Sequence, residues 1–92
     1  TSVGGYDLPP QEVAERNLRT IAPLALRDGA LKMSSWHCGT SHCIAGWGQK
    51  AILGVENDSS ASIDGTRTLG LEAAKHFHVS DDEARKFLSQ YL

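Results

Sequence analysis

A segment of seven residues holds the side chains best suited to chemistry. His37-Cys38-Gly39-Thr40-Ser41-His42-Cys43 contains both cysteines and two of the four histidines of the chain. Imidazole and thiolate are ligands that zinc takes in proteins, and they are also the base and the nucleophile of thiol enzymes. The segment is therefore the candidate functional site, and four interpretations of it compete.

The first interpretation is a zinc site. Adjacent side chains on a helix diverge by about 100°, so the four His and Cys side chains of the segment cannot all reach one tetrahedral ion. A workable set combines Cys38 and Cys43 with one histidine from farther along the chain, His76 or His78. We take Cys38, Cys43 and His76 as the candidate ligands, with zinc as the alternative cofactor.

The second interpretation is a disulfide or a redox pair between Cys38 and Cys43. Gly39 supplies a turn that can bring the two Cα atoms within the roughly 4.4–6.8 Å that a disulfide requires. The spacing is C-x4-C and differs from the C-x-x-C of thioredoxin-like sites, so the redox-enzyme signal is weak.

The third interpretation is a nucleophilic cysteine. Cys43 falls in the first turn of a predicted helix, where the helix dipole favours the thiolate, and His42 or His37 can serve as its base. No Asp or Asn stands nearby in sequence to orient the imidazole. A thiol- or metal-dependent enzyme centred on Cys43 and His42 is therefore the alternative function.

The fourth interpretation is structural, and it is the one we favour; it involves no cofactor. A buried free cysteine behaves as a small hydrophobic residue, histidines can bind loop carbonyls, and Thr40 can cap the next helix. Such a cluster would fix the loop that carries Trp36 against the helix that carries Trp47. Its members are Trp36, His37, Cys38, Thr40, His42, Cys43 and Trp47.

The elements that must position this segment are helices. Apolar residues recur at steps of three and four, which predicts an all-α bundle of about four short helices behind an extended N-terminal arm. The predicted helices run from Pro9 to about Arg27, from His42 to Leu53, from about Thr66 to Phe77, and from Ser80 onward. A polar loop is expected at 56–64.

Particular residues predict where these helices start, bend and end. Asp7 can cap the first helix, and Pro23 predicts a kink or a break near Thr20. Thr40 or Ser41 can cap the second helix, and Gly54 ends it.

Glycines and a capping motif supply two further expectations. Gly46 and Gly48 are costly in a helix interior, so we expect a neighbouring helix to approach them closely. The sequence Ser80-Asp81-Asp82-Glu83 forms a capping box at the start of the fourth helix.

Length and composition restrict the class of protein. The chain has 92 residues, of which 40% are hydrophobic and 22% charged, and this length and composition are typical of one globular domain. We expect the domain at 9–92, preceded by an extended arm at 1–8. A net charge of −2 argues against a nucleic-acid partner, and no apolar run is long enough for a membrane span. Few cysteines indicate a reducing compartment, so we expect a cytoplasmic protein. The first residue is Thr1, which suggests a fragment of a longer protein.

Two stretches resemble known sequence groups. Trp36 to Trp47 resembles the W-H-x-C-x-T-x-H-C-x-A-G-W core of small bacterial and phage-associated proteins, and the likeness extends to Leu92. Here His37 and Cys38 are adjacent, where many relatives keep a residue between them. Thr1 to Tyr6 resembles one unit of the LTSVGG repeats that stack into a β-solenoid. The resemblance implies a bacterial or phage context and no particular activity.

Together these observations predict a non-enzymatic accessory or protein-interaction module, encoded by a bacterium or a phage. Its expected partner is another protein or the remainder of a larger polypeptide.

Overall fold

Four helices make up most of the chain, which confirms the predicted all-α class. The computed structural model describes residues 2–3, 6–39 and 41–92, and it describes the side chains of 8–37, 39 and 41–92. The helices are α1 (Gln11–Ala25), α2 (Ile44–Trp47, continued by a π-helical segment Gly48–Leu53), α3 (Ala61–Ala74) and α4 (Asp81–Ser89).

Two short antiparallel strand pairs accompany the helices. β1 (Ser2–Val3) pairs with β2 (Tyr6–Asp7), and β3 (His37–Cys38) pairs with β4 (Ser41–His42). Strands of two residues are too short to show the alternating pattern by which strands are found in a sequence. The second pair is the one that shapes the candidate site.

The first helix differs from expectation at both of its special positions. Pro10, and not Asp7, is the residue at the N-cap position, and no side chain caps the helix. The helix also continues through Pro23 to Ala25, so of the expected kink or break near Thr20 the break is wrong. A buried face that extends from Leu18 to Ala25 holds the last turn against the core and offsets the hydrogen bond that Pro23 cannot donate.

The second helix begins later than predicted. Its first residue is Ile44 and its N-cap is Cys43, so the expected cap at Thr40 or Ser41 is wrong. Ser41 and His42 instead form the strand β4. It ends at Gly54, which has a φ of 71°, as expected.

The expected close approach at the two helix glycines is present. A Cβ on Gly46 would lie 1.9 Å from the carbonyl oxygen of Trp36, and one on Gly48 would lie 2.9 Å from the side chain of Leu69 in α3. The neighbour of Gly46 is therefore a loop and not a helix.

The third helix starts before its predicted first residue, Thr66. It begins at Ala61, inside the expected polar loop, and the backbone is interrupted at Gly70, whose φ is 87°. Ala61 and Gly65 are buried, and a Cβ on Gly65 would lie 2.8 Å from the Cβ of Ala45. Close packing on α2 therefore extends the helix into residues whose polar side chains suggest a loop.

The fourth helix has the predicted capping contact. The Ser80 hydroxyl accepts a hydrogen bond from the backbone N–H of Glu83 at 3.3 Å. Ala84, Phe87 and Leu88 of this helix are buried, as their spacing indicates.

One core joins all four helices and the segment before α2. No helix in the described part of the chain is long and apolar enough to cross a membrane. The largest apolar side chains of the core are Leu18, Ile21, Leu31, Ile44, Trp47, Leu69, Phe77, Phe87 and Leu88.

Candidate functional site

A short hairpin brings two histidines of the candidate segment together. Gly39, with a φ of 62°, lies between β3 and β4, and the pairing sets His37 directly opposite His42. Opposite residues of an antiparallel pair project to the same face, so the two imidazoles meet. Backbone bonds tie β4 to the preceding loop, because His42 N–H donates to the Ala30 carbonyl at 3.0 Å and Lys32 N–H donates to the His42 carbonyl at 3.1 Å.

The two imidazoles form a direct contact. Nδ1 of His37 lies 2.7 Å from Nδ1 of His42, and the ring planes are inclined at 76°. The His42 ring also makes an edge-to-face contact with Trp47, with ring centroids 4.8 Å apart. His42 is only 3% exposed. Burial lowers the pKa of His42, and the neighbouring His37 lowers it further. The buried His42 ring is therefore held in its neutral form.

Gln49, on the π-helical continuation of α2, connects this histidine pair to the loop before α3. Its Nε2 has two hydrogens, which are shared among three acceptors: the Asn57 carbonyl (3.0 Å), the Ser60 hydroxyl (3.1 Å) and Oδ2 of Asp64 in the first turn of α3 (2.9 Å). Its Oε1 accepts from the Asn57 backbone N–H (2.9 Å) and faces Nε2 of His37 (2.7 Å). Gln49 is fully buried, so these bonds replace the water that the amide would otherwise bind.

These bonds fix one proton position on the histidine pair. The Asn57 backbone N–H can only donate and its carbonyl can only accept, so they determine which end of the Gln49 side-chain amide is oxygen. Because that oxygen can only accept, Nε2 of His37 carries a hydrogen. The 2.7 Å contact between the two Nδ1 atoms requires one hydrogen between them, carried by one ring and accepted by the other.

Glu56 lies at the exposed edge of the histidine pair. Its Oε1 is 3.8 Å from Nδ1 of His37, and its Oε2 is 3.0 Å from Nζ of Lys50. The hydrogen bond from Lys50 holds the pKa of Glu56 below its usual value, so the carboxylate is charged at neutral pH.

Cys43 belongs to the same segment but has a different environment. It is a free cysteine, 1% exposed, and its Sγ accepts a hydrogen bond from the backbone N–H of Gly46 at 3.3 Å. Burial raises the pKa of this thiol. A cavity of about 190 Å³ borders Cys43, together with Trp36 and His78, and His42 is not among its lining residues. The predicted base therefore does not share the cavity that the thiol borders.

The two tryptophans of the predicted cluster lie near different parts of the site, Trp47 against His42 and Trp36 beside the cavity that Cys43 borders. Trp47 is buried, and its Nε1–H donates to the Ala30 carbonyl at 2.7 Å. Trp36 is half-buried and packs edge-on near His78, with ring centroids 6.0 Å apart.

The remaining predicted residues are placed as follows. His76 stacks on Phe87, with ring centroids 4.0 Å apart, and its Nδ1 lies 3.0 Å from the Glu72 carbonyl oxygen. Thr40 and the side chain of Cys38 lie outside the described residues. The metal set of Cys38, Cys43 and His76 therefore stays a prediction.

Two residues of this site were missed by the sequence analysis, Gln49 and Glu56. The Gln49 side chain reaches both the histidine pair and the loop, and its only sequence signal is a polar residue beside Lys50 in a helix that is otherwise apolar. Glu56 stands among the polar residues of a predicted loop, and nothing in its spacing links it to His37.

A groove elsewhere on the molecule offers a second concave surface among the described residues. It has a volume of about 430 Å³ and lies between α1 and α3, beside Tyr91. Its walls are apolar at Ala14, Leu18 and Leu69 and acidic at Glu15 and Glu72, and the 44%-exposed Leu71 borders it.

Comparisons of the chain with protein-family models, with curated proteins and with solved structures found no match.

Proposed function

We propose that this domain is a non-enzymatic protein-interaction module, encoded by a bacterium or a phage, in which the Cys/His segment is structural. The observation that carries the proposal is the burial of both groups on which a thiol enzyme would depend. Cys43 and His42 are 1% and 3% exposed, whereas a nucleophile and its base must reach a substrate.

The hydrogen bonds of these groups support the same proposal. The Cys43 thiol caps α2, and the His42 ring is enclosed between His37 and Trp47. The cavity beside Cys43 is also smaller than the roughly 300–1,000 Å³ of ordinary ligand sites.

Labelling of the cysteine tests the non-enzymatic part of the proposal. In a Cys38→Ser variant, Cys43 is the remaining thiol, and a maleimide reagent reports its access to solvent. We expect labelling at neutral pH to be slow and to become fast only when denaturant unfolds the chain. Fast labelling of the folded variant would contradict the structural role and favour the thiol enzyme.

The groove between α1 and α3 is the surface we assign to the partner. Its apolar floor and the exposed Leu71 suit an apolar side chain, and the carboxylates of Glu15 and Glu72 stand beside it. Burial raises the pKa of the Tyr91 hydroxyl in this groove, and both carboxylates add to the rise while Arg19 opposes it. Glu15 and Glu72 are each paired with a cation of their own helix, Arg19 (3.2 Å) and Lys75 (3.3 Å), but these ion pairs are exposed and therefore weak. A basic side chain of a partner can compete for the carboxylates, so the fitting occupant is a peptide segment with an apolar residue next to lysine or arginine.

Selection from a displayed random-peptide library tests this assignment. We expect enrichment of peptides that combine an apolar residue with basic neighbours, and loss of their binding in Leu71→Glu. Leu53→Glu is the matched control, because Leu53 is similarly exposed (47%) and does not line the groove. No enrichment, or equal loss in both variants, would contradict the assignment.

A further inference from the structure

The edge of the histidine pair has the composition of a metal site. Within the described part of the chain, His37, His42 and Glu56 form a group whose ligand atoms all lie within 4.8 Å of one another. Two imidazole nitrogens and a carboxylate oxygen are ligands that zinc and related divalent ions take, and such a set leaves a fourth position open. This group shares no residue with the zinc ligands suggested by the sequence, Cys38, Cys43 and His76.

Gln49 prepares His37 for such a role. Histidines that bind metals almost always donate their other ring N–H to an oxygen, which fixes the ring and leaves the metal-facing nitrogen with its lone pair. Nε2 of His37 faces Oε1 of Gln49 at 2.7 Å, and Nδ1 faces His42 and Glu56. Because Gln49 is itself held by Asn57, Ser60 and Asp64, the orientation of the His37 ring is set before any ion arrives.

We propose that Nδ1 of His37, Nδ1 of His42 and the carboxylate of Glu56 bind a divalent transition-metal ion, with zinc as the best match. The proposal goes beyond the assigned interaction role, and it depends on neither the groove nor the reactivity of Cys43.

Binding requires small movements that the structure permits. Two nitrogens bound to one tetrahedral zinc at about 2.0–2.1 Å lie roughly 3.3 Å apart, so the two rings must separate by about 0.6 Å from their present 2.7 Å contact. The Glu56 side chain is 41% exposed, so it is free to turn toward the ion and away from Lys50.

The proton balance of this step follows from the contact between the two rings. The hydrogen that lies between the two Nδ1 atoms must leave to water before both nitrogens can bind an ion. In the bound state each ring is a neutral imidazole with its hydrogen on Nε2, so the step releases one proton if the pair starts with three ring hydrogens and none if it starts with two. No oxidant or reductant is needed.

Metal titration of the full 92-residue chain tests the proposal. Chelator-treated protein is titrated with zinc by calorimetry and with cobalt(II), whose visible absorption reports the ligand geometry. We expect one ion per chain, a cobalt spectrum typical of four-coordinate nitrogen and oxygen ligation, and affinity at least about tenfold weaker in Glu56→Gln. Glu56 is a surface residue, so this variant should keep the fold. Glu72→Gln and His78→Gln are the matched controls, and each should bind as the wild type does.

Three results would overturn the proposal. The first is wild-type affinity weaker than about 1 mM, which is no better than scattered surface groups provide. The second is an unchanged affinity in Glu56→Gln. The third is loss of binding in Cys38→Ser or Cys43→Ser with Glu56→Gln unaffected, which would move the ion to the cysteines.

Discussion

Replacing Gln49 with Leu removes the side chain that joins the histidine pair to the loop before α3. Leucine has nearly the same volume as glutamine, so the change deletes hydrogen bonds without leaving a large cavity. Five contacts are lost, three from Nε2 and two to Oε1.

The size of the effect depends on which partners water can reach. Asn57 is exposed and Ser60 and Asp64 are half-buried, so water can replace most of what Gln49 gives them. The ring of His37 is 8% exposed, and its Nε2–H would lose its acceptor, which costs about 1–3 kcal/mol. Adding a few tenths of a kcal/mol for each other bond, we expect a total loss of about 2–4 kcal/mol.

Urea denaturation followed by tryptophan fluorescence measures this loss, since Trp47 packs against His42 and Trp36 borders the cavity beside Cys43. A domain of this size has a free energy of unfolding of about 5–14 kcal/mol, so the variant should fold with a clearly lower midpoint. Gln90→Leu, at an exposed position after α4, is the control and should change stability by less than about 0.5 kcal/mol. A Gln49→Leu protein as stable as this control would refute the structural role assigned to the network.

Three further predictions concern the elements around the site. Gly46→Ala should lower the free energy of unfolding in urea by about 3 kcal/mol or more, because the added Cβ would meet the Trp36 carbonyl oxygen at 1.9 Å. The control Gly54→Ala has open space around it and should lose only the roughly 1–2 kcal/mol of its left-handed backbone, so equal losses would contradict the close approach at Gly46. Ser80→Ala should lower stability by about 1 kcal/mol in the same assay, since it deletes the cap on the Glu83 N–H, and no change would mean that the cap is unimportant. The raised pKa of Cys43 implies that this thiol does not affect stability below the ordinary thiol pKa of about 8.5 and lowers it as pH rises above that value, because the thiol then ionises in the unfolded chain but not in the folded one. In the Cys38→Ser background, Cys43→Ala should therefore reduce the loss of stability at alkaline pH.

The helices could be predicted where local signals and burial agree. The capping box at Ser80 and the spacing of Ala84, Phe87 and Leu88 both arise within α4 itself, so the sequence alone is sufficient there. The start of α3 depends on Gly65 meeting Ala45 of another helix, and no local pattern reports such a contact.

The candidate site could be predicted in part. His37, His42 and Cys43 are conspicuous because rare residue types are concentrated in one segment. Their division into a histidine pair and a capping thiol depends on the hairpin around Gly39, which turns His42 toward His37 and makes Cys43 the first residue before α2. Gln49 and Glu56 reach the histidines only through the path of the loop after α2. Because Gln and Glu are common residue types, their presence in the sequence does not indicate such a role.

The proton positions on the two histidines test the structural role of the cluster most directly. Long-range ¹H–¹⁵N NMR of metal-free protein distinguishes the Nδ1–H and Nε2–H forms of each ring. The contact with Oε1 of Gln49 predicts a hydrogen on Nε2 of His37, and the contact between the two Nδ1 atoms predicts one hydrogen between the rings. A His37 ring without a hydrogen on Nε2, or two rings that exchange freely between forms at neutral pH, would contradict a fixed structural network centred on Gln49.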